Sequence, residues 1–356
     1  MQTITARKQR HIAYWRREPC ERPLLLIHTP NPDTSETAAY LDAVRREDPT
    51  RYWTDPELVH KRMLADATRF GPDDSIPVLR IPCGPTMLSA ILGSRVEFAP
   101  TTVWFHPCTD DLASLEDISF DSGNRWWKMI ESFCHIAARE AKSGGFAPAI
   151  PDFGGLGDNL AALIGSDKLL EEMLDRPELV KKVLRRMLDV QAACVKRMAD
   201  ILESAGNGTA TWLNLWSPGR VGIIQNDLSI MLSTEMYKEF FAEEFLTLSK
   251  LYDQCMFHLD GTACRRHLSG FLLDIPNLHA VQLGSDPGTR AMEILPAIKM
   301  IQAANKNVYT YVFPDEIEEL FSNVPPRGFC MITAARTTEE AADIVARVTA
   351  ACKNRG

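Results

Sequence analysis

Gln254-Cys255-Met256-Phe257-His258-Leu259-Asp260-Gly261, continued by Thr262-Ala263-Cys264-Arg265-Arg266-His267-Leu268, decides how the chain is read. Its first half is an apolar run of strand type that stops at a glycine, and its second half has helix-compatible spacing. Side chains two apart on a strand share a face, so His258 and Asp260 project together. An imidazole and a carboxylate are costly to bury without partners. In a β/α barrel the carboxyl end of a strand is where chemistry is assembled.

Working outward, the same grammar recurs. Downstream, 278–283 ends at Gly284, 308–312 ends before Pro314, and 329–333 ends at Ala334-Ala335-Arg336; helices are expected near 291–304, over 314–321 and near 338–351. Upstream, a helix near 234–252 leads into the His258 strand, and 209–216 reads as a strand ending at Ser217-Pro218-Gly219. Residues 149–153 end in Gly154-Gly155 and precede helices near 158–174 and 177–204, the second opened by Asp175-Arg176-Pro177-Glu178. Residues 24–29 and 75–81 are the first two strands; 31–70 is polar and mostly helical, with Asp55-Pro56-Glu57 as a helix start. Eight short apolar strands alternating with helical pattern predict an α/β fold, a (β/α)8 TIM barrel. No GxGxxG follows the first strand, which sets aside a doubly wound open sheet. Residues 1–356 read as one domain with an elaborated amino-terminal region: a basic extension over 1–23, and an insertion over 82–147 lying across the barrel end. That insertion holds the aromatic cluster Trp104, Phe105, Trp126 and Trp127 and a helix near 124–143.

Composition narrows the class. Net charge is −8, and no lysine/arginine run is interleaved with aromatics, so nucleic acid is not an expected partner. No apolar core follows the basic leader and no eighteen apolar residues run together, so no membrane association is expected. Nine cysteines without a CxxC pair read as reduced thiols of a cytoplasmic protein rather than a disulfide framework.

The residues at the strand ends are the site candidates: His28, Arg80, Asp152, Trp212, Asn214, Trp216 with Arg220 beyond, His258 with Asp260, Gln282, Tyr311 and Arg336. Arginines after three strands suit a substrate bearing carboxylates or phosphates. Trp212 and Trp216 either fill core layers or stack on a flat ring. His28 either bonds its Thr29-Pro30 turn or faces substrate; Asp152 either caps the next helix or faces the site. For His258 and Asp260 three roles stay open: general acid/base, ligands of a metal ion, or substrate binding. Zinc needs a third protein ligand. Cys330 lies too deep in its strand, Cys255 faces the other side, and no other candidate is evident.

Pro218-Gly219-Arg220 after a Trp-rich strand, His258-Leu259-Asp260-Gly261, Gln282, and the closing Ile332-Thr333-Ala334-Ala335-Arg336-Thr337-Thr338-Glu339-Glu340-Ala341 resemble the uroporphyrinogen decarboxylase superfamily. The resemblance runs from about residue 50 onward and is strongest over 205–345. It points to the decarboxylase-like branch grouped with corrinoid-dependent methyltransferases. It implies a β/α barrel with its site at the carboxyl-end mouth, often as a homodimer. The arginine-rich amino-terminal motif and the pyrrole-binding aspartate of the true decarboxylase have no clear match. The thiol-activating methyltransferases hold zinc with His-x-Cys and a later cysteine. Here Asp260 stands in the first cysteine's place and Ala334-Ala335 near the second's. A full thiolate set is excluded, while a His/Asp zinc site completed by oxygen or water stays open.

The resemblance therefore implies a methyltransferase moving methyl between a small methylated substrate and a corrinoid carried by a partner protein. His258 and Asp260 would be acid/base or metal ligands, Trp212 and Trp216 the wall, and Tyr311, Gln282 and Arg220 the orienting groups. The alternatives are a carboxy-lyase acting on a carboxylated substrate, tetrapyrrolic or not, held by Arg80, Arg220 and Arg336, and a barrel that binds corrinoid or ligand without turnover.

Overall fold

The computed structural model describes residues 3–29, 36–67, 71–284 and 286–353. Helix α1 (Ile4–Trp15) precedes β1 (Leu24–His28), and three helices follow: α2 (Glu36–Glu47), α3 (Pro49–Thr54) and α4 (Pro56–Ala67). The Asp55 carboxylate accepts from the N–H groups of Glu57 and Leu58, so the Asp-Pro-Glu signal does open a helix. Next come β2 (Val78–Leu79), α5 (Met87–Ile91), the antiparallel pair β3 (Arg95–Phe98) and β4 (Val103–His106), α6 (Arg125–Gly144) and β5 (Ala147–Pro148). The helix expected over 158–174 is two, α7 (Leu156–Ile164) and α8 (Ser166–Asp175), because Gly165 at φ +92° interrupts it. Then follow α9 (Pro177–Glu203), β6 (Thr209–Ala210), β7 (Trp216–Ser217), β8 (Val221–Gln225), α10 (Thr234–Ser249) and β9 (Gln254–Leu259). The chain ends with β10 (Ala280–Leu283), α11 (Leu295–Ala303), β11 (Asn307–Tyr311), α12 (Ile317–Asn323), β12 (Phe329–Ala334) and α13 (Thr338–Cys352).

Six strands form one parallel sheet in the order β1-β12-β11-β10-β9-β8. A second parallel pair, β2 with β5, continues through an Ala149–Ala210 bridge to β6. This is an α/β architecture of TIM-like type. Strand alternation sends Leu25, Ile27, Ile224, Phe257, Val281 and Met331 into the core shared with the helices. The opposite face carries Leu24, Leu26, Ile223, Met256, Tyr309 and Ile332, with Leu215 packed among them. Both faces are thus buried, as a parallel sheet requires.

The sequence reading misplaces two strands: the one expected over 149–153 lies earlier, at Ala147–Pro148, with only a bridge at Ala149, and the one expected over 209–216 is displaced further. Residues 209–216 are not a strand of the main sheet: β6 folds back on β7 as an antiparallel pair, turning through Asn214 at φ +62°. The strand beside β9 is β8, which starts just after Pro218-Gly219-Arg220. Its glycine has a packing reason, since a Cβ on Gly222 would run into the Tyr252 ring.

Residues 4–15, read as part of a basic leader, form a helix that covers the amino ends of the strands. Tyr14 Oη donates to the Val308 carbonyl, Asn307 Nδ2 to the Trp15 carbonyl, and Trp15 Nε1 to the Trp216 carbonyl. The carboxyl ends stay accessible. Among the described residues, no helix is long and apolar enough to cross a membrane.

Candidate active site

Register sets out the site floor. Gln225, His258 and Gln282 stand side by side on β8, β9 and β10. His258 Nδ1 hydrogen-bonds Gln282 Oε1. A carboxamide oxygen only accepts, so Nδ1 carries the proton and Nε2 keeps its lone pair for a ligand. The Trp212 ring meets the imidazole edge-on at 5.4 Å.

Asp260 follows the end of β9 and is exposed there. Gly284, just past β10, donates its N–H to the Leu259 carbonyl at 2.8 Å. A Cβ at Gly284 would lie 2.7 Å from Asp260 Oδ1, so this glycine makes the space the carboxylate occupies.

The third group comes from the strand the sequence reading missed. Asp227 stands two residues past β8, at the start of a 3-10 turn over Asp227–Met231. The Asp158 carboxylate, in the first turn of α7, accepts from the N–H groups of Asp227 and Leu228 at 2.9 and 2.8 Å and so pins the turn. Burial, and then the Asp227 charge, push the Asp158 carboxyl up to about 7; burial also raises that of Asp227. One ligand atom each from Asp227, His258 and Asp260 lie within 4.8 Å of one another. One imidazole and two carboxylates are a donor set for a divalent first-row cation. The Gln282 bond supplies the outer-shell partner that such a histidine usually has.

A cavity of about 470 Å³ opens onto this cluster, walled by Trp53, Arg62, Asp66, Arg80, Asp152, Trp212, Gln225, Asp227 and His258. That is the size class of small-molecule sites. Asp152 lies in this wall: Oδ1 accepts from the Gly154 N–H at 2.9 Å and Oδ2 from Trp212 Nε1 at 3.3 Å. The start of α7 is met instead by Glu244 of α10, which accepts from the Leu156 N–H. Burial raises the Asp152 carboxyl to about 6. The turn beyond it has no room for side chains. Gly154, at φ +76°, abuts the Pro85 carbonyl, and Gly155 abuts that of Gln225.

His28 and Asn214 line a neighbouring cavity of about 200 Å³, which shares Asp66 and Arg80 with the first. Burial, then the Arg80 charge, lowers the His28 pKa. Tyr311 is 40% exposed at the end of β11, packed edge-on against Phe313. It does not line either cavity.

Besides Tyr311, three further candidates lie elsewhere, and each correction has a physical reason. Trp216 is buried at the amino end, its indole N–H donating to the Asn207 carbonyl. Arg220 begins β8 rather than ending a strand, so it sits at the opposite rim, paired with Asp200 and with Glu203 at 2.7 Å. Arg336 is 90% exposed and turns back to Glu340 of α13 at 3.3 Å. Conversely, sequence reasoning missed Asp227, Gln225, Asp158, Trp53, Arg62 and Asp66. The Val221–Gln225 run ending at Asn226-Asp227 was a readable strand end. The α4 residues reach the site only through tertiary packing.

No family model matches the chain, and a search of curated proteins finds no match. Among solved structures, the chain is similar to a methyltransferase from Methanosarcina mazei, with a TM-score of 0.62 and 14% identity over 97% of each chain. At that identity the likeness speaks to fold, and it extends over nearly the whole of both chains.

Proposed function

We propose that the chain is a methyltransferase-like enzyme on a closed (β/α)8 barrel, moving a methyl group between a small substrate in the 470 Å³ cavity and a corrinoid presented by a partner protein. The convergence of Asp227, His258 and Asp260 at the carboxyl ends of β8 and β9 carries this reading. Its setting is a fold similar, end to end, to that of a methyltransferase. His258 Nε2 with Asp227 and Asp260 would hold zinc, and bound there it would act as a Lewis acid on a heteroatom of the substrate. An oxygen-rich donor set is a poorer activator of a thiolate than a thiolate set, which favours the direction that demethylates the substrate.

The chain's own groups have assigned tasks. Gln282 fixes the His258 tautomer, and Trp212 covers the imidazole edge. Asp152, in the cavity wall beside Trp212 and with its carboxyl raised by burial to about 6, would supply the proton that a leaving heteroatom takes up when it loses methyl. The lyase alternative rested on three arginines; Arg220 and Arg336 are paired away from the cavity, so it keeps only Arg80.

Metal analysis of protein grown with zinc tests the reading. Stoichiometric zinc, lost in both His258→Ala and Asp227→Asn, is the expected result, together with methylation of free cob(I)alamin by a methoxylated substrate, followed by absorbance. Protein that holds no metal, or variants that keep it, would overturn the assignment.

A further inference from the structure

Two sets of charged groups line the main cavity. Asp227 and His258 stand past β8 and β9, and Asp152 past β5. Arg62 and Asp66 of α4, with Arg80 past β2, make the other end, on the far side of β5 in the strand pairing. Two guanidinium groups against one carboxylate leave that wall with a net charge of +1 (2 − 1). The lone carboxylate holds neither arginine firmly. Arg80 approaches Asp66 only at 3.8 Å, with both side chains about two-fifths exposed, and a pair of that kind contributes little. Arg62 is instead held by aromatic faces and a carbonyl. Its guanidinium lies 3.8 Å from the Tyr52 ring centre and 4.8 Å from that of Trp53, and Nη1 donates to the Tyr52 carbonyl at 2.9 Å. Stacked in this way, the guanidinium plane is oriented, and the Asp66 charge acts on it without a direct ion pair.

We infer that Arg62 and Arg80 form an anion subsite, so the small molecule that enters this cavity is a carboxylate whose charged group lies at the α4 end and whose other end reaches the Asp227–His258 cluster. The assignment of that other end as the methyl-bearing one rests on the proposed function; the anion subsite itself does not. A carboxylate bridging two guanidinium groups makes charge-assisted, bidentate hydrogen bonds that an uncharged amide cannot reproduce. The apolar and aromatic wall between the ends, from Ile81 to Pro85 with Trp53 and Trp212, fits a short hydrocarbon or ring spacer.

The test compares acids with their isosteric amides on full-length, zinc-supplemented protein by titration calorimetry: 3-methoxypropionate against 3-methoxypropanamide, and 4-methoxybenzoate against 4-methoxybenzamide. In at least one pair the acid is expected to bind about tenfold tighter or more. Arg80→Met should reduce that preference to about twofold, and Arg80→Lys should fall between, with unchanged circular dichroism and zinc content. His258→Ala should leave the acid-to-amide ratio intact. The inference is overturned if neither acid outbinds its amide, or if neither compound binds. It also falls if the preference survives Arg80→Met but disappears in His258→Ala, which would place the carboxylate at the metal end. Zinc content and the acid-to-amide ratio read opposite ends of the cavity, so failure of one reading leaves the other standing.

Discussion

At Gly284 a hydrogen stands where any other residue would place a carbon 2.7 Å from the Asp260 carboxylate and 3.0 Å from the Leu259 carbonyl. The chain segments just past β9 and β10 are thus tightly fitted where the candidate ligand Asp260 emerges. Gly284→Ala should push Asp260 out of reach of the ion while leaving the strand ladder in place. Zinc affinity is expected to fall by about tenfold or more, as for other disturbed outer-shell supports. Stability should fall by about 1–3 kcal/mol from overpacking. Chelator competition and urea unfolding read the two effects separately, and unchanged affinity would mean that Asp260 contributes no ligand. Gln282→Leu makes a companion case: it removes the acceptor for His258 Nδ1–H without touching a ligand, and should weaken zinc binding by a similar factor. His258 and Asp260 were legible in the sequence because period-two alternation places them on one face whatever the neighbours do. Asp227 was not, because its position depends on Asp158 reaching over from α7.

At the scale of elements, β1, β9, β10, β11 and β12 were legible because each is an apolar, β-branched or aromatic run cut off by a turn residue. β8 was not, since its five residues include Gly222, and the Trp-rich stretch just before it carries a stronger strand signal. That stretch spends its apolar residues on filling the space between the sheet and α1 instead. Helix α1 was equally hidden: read as a basic leader, it buries Arg7, His11, Tyr14 and Trp15. His11 explains how tightly it is locked. Its Nε2–H donates to the Asp74 carbonyl at 3.1 Å while Nδ1 accepts from the Trp216 N–H at 3.2 Å. A second proton on the ring would face a donor. Burial accordingly lowers its pKa from 6.5 to about 4. Below the ordinary value the unfolded chain takes up a proton that the folded chain refuses. Stability present above about pH 6.5 is therefore lost as the pH falls towards about 4, by roughly 3 kcal/mol in all. His11→Gln keeps one donor and one acceptor without the titration. Urea midpoints at about pH 7.5 and about pH 4.5 should fall less for the variant than for the parent protein. Equal falls would assign the acid lability to other groups.

On the scale of the whole molecule, regular ladders do not join every pair of neighbouring strands. Between β1 and β2 no backbone ladder runs; two adjacent carboxylates take its place. Asp73 accepts from the Ile27 N–H at 2.6 Å, Asp74 accepts from the Leu25 N–H at 2.9 Å, and the Asp74 N–H returns to the Leu25 carbonyl. Between β6 and β8 the link is again a side chain, Thr209 Oγ1 accepting from the Val221 N–H at 2.9 Å. Of the expected strand over 75–81 only Val78–Leu79 is regular, and 149–153 lies just past β5, keeping the single bridge at Ala149. The β1 link depends on Asp74 staying charged in a buried place, and Arg22 makes that tolerable by bonding it bidentately at 2.6 and 2.8 Å. A buried ion pair adds little over a well-packed apolar pair, but removing one partner strands the other charge. Asp74→Ala should therefore cost about 3–5 kcal/mol, far more than the loss of a surface pair. The damage should also be local before it is global. With their acceptors removed or shifted, the Leu25 and Ile27 amides should exchange with solvent much faster than those of β9 and β10. If hydrogen exchange instead rises evenly over all strands, the carboxylate link does not hold this edge, and the β1–β12 ladder alone secures the first strand.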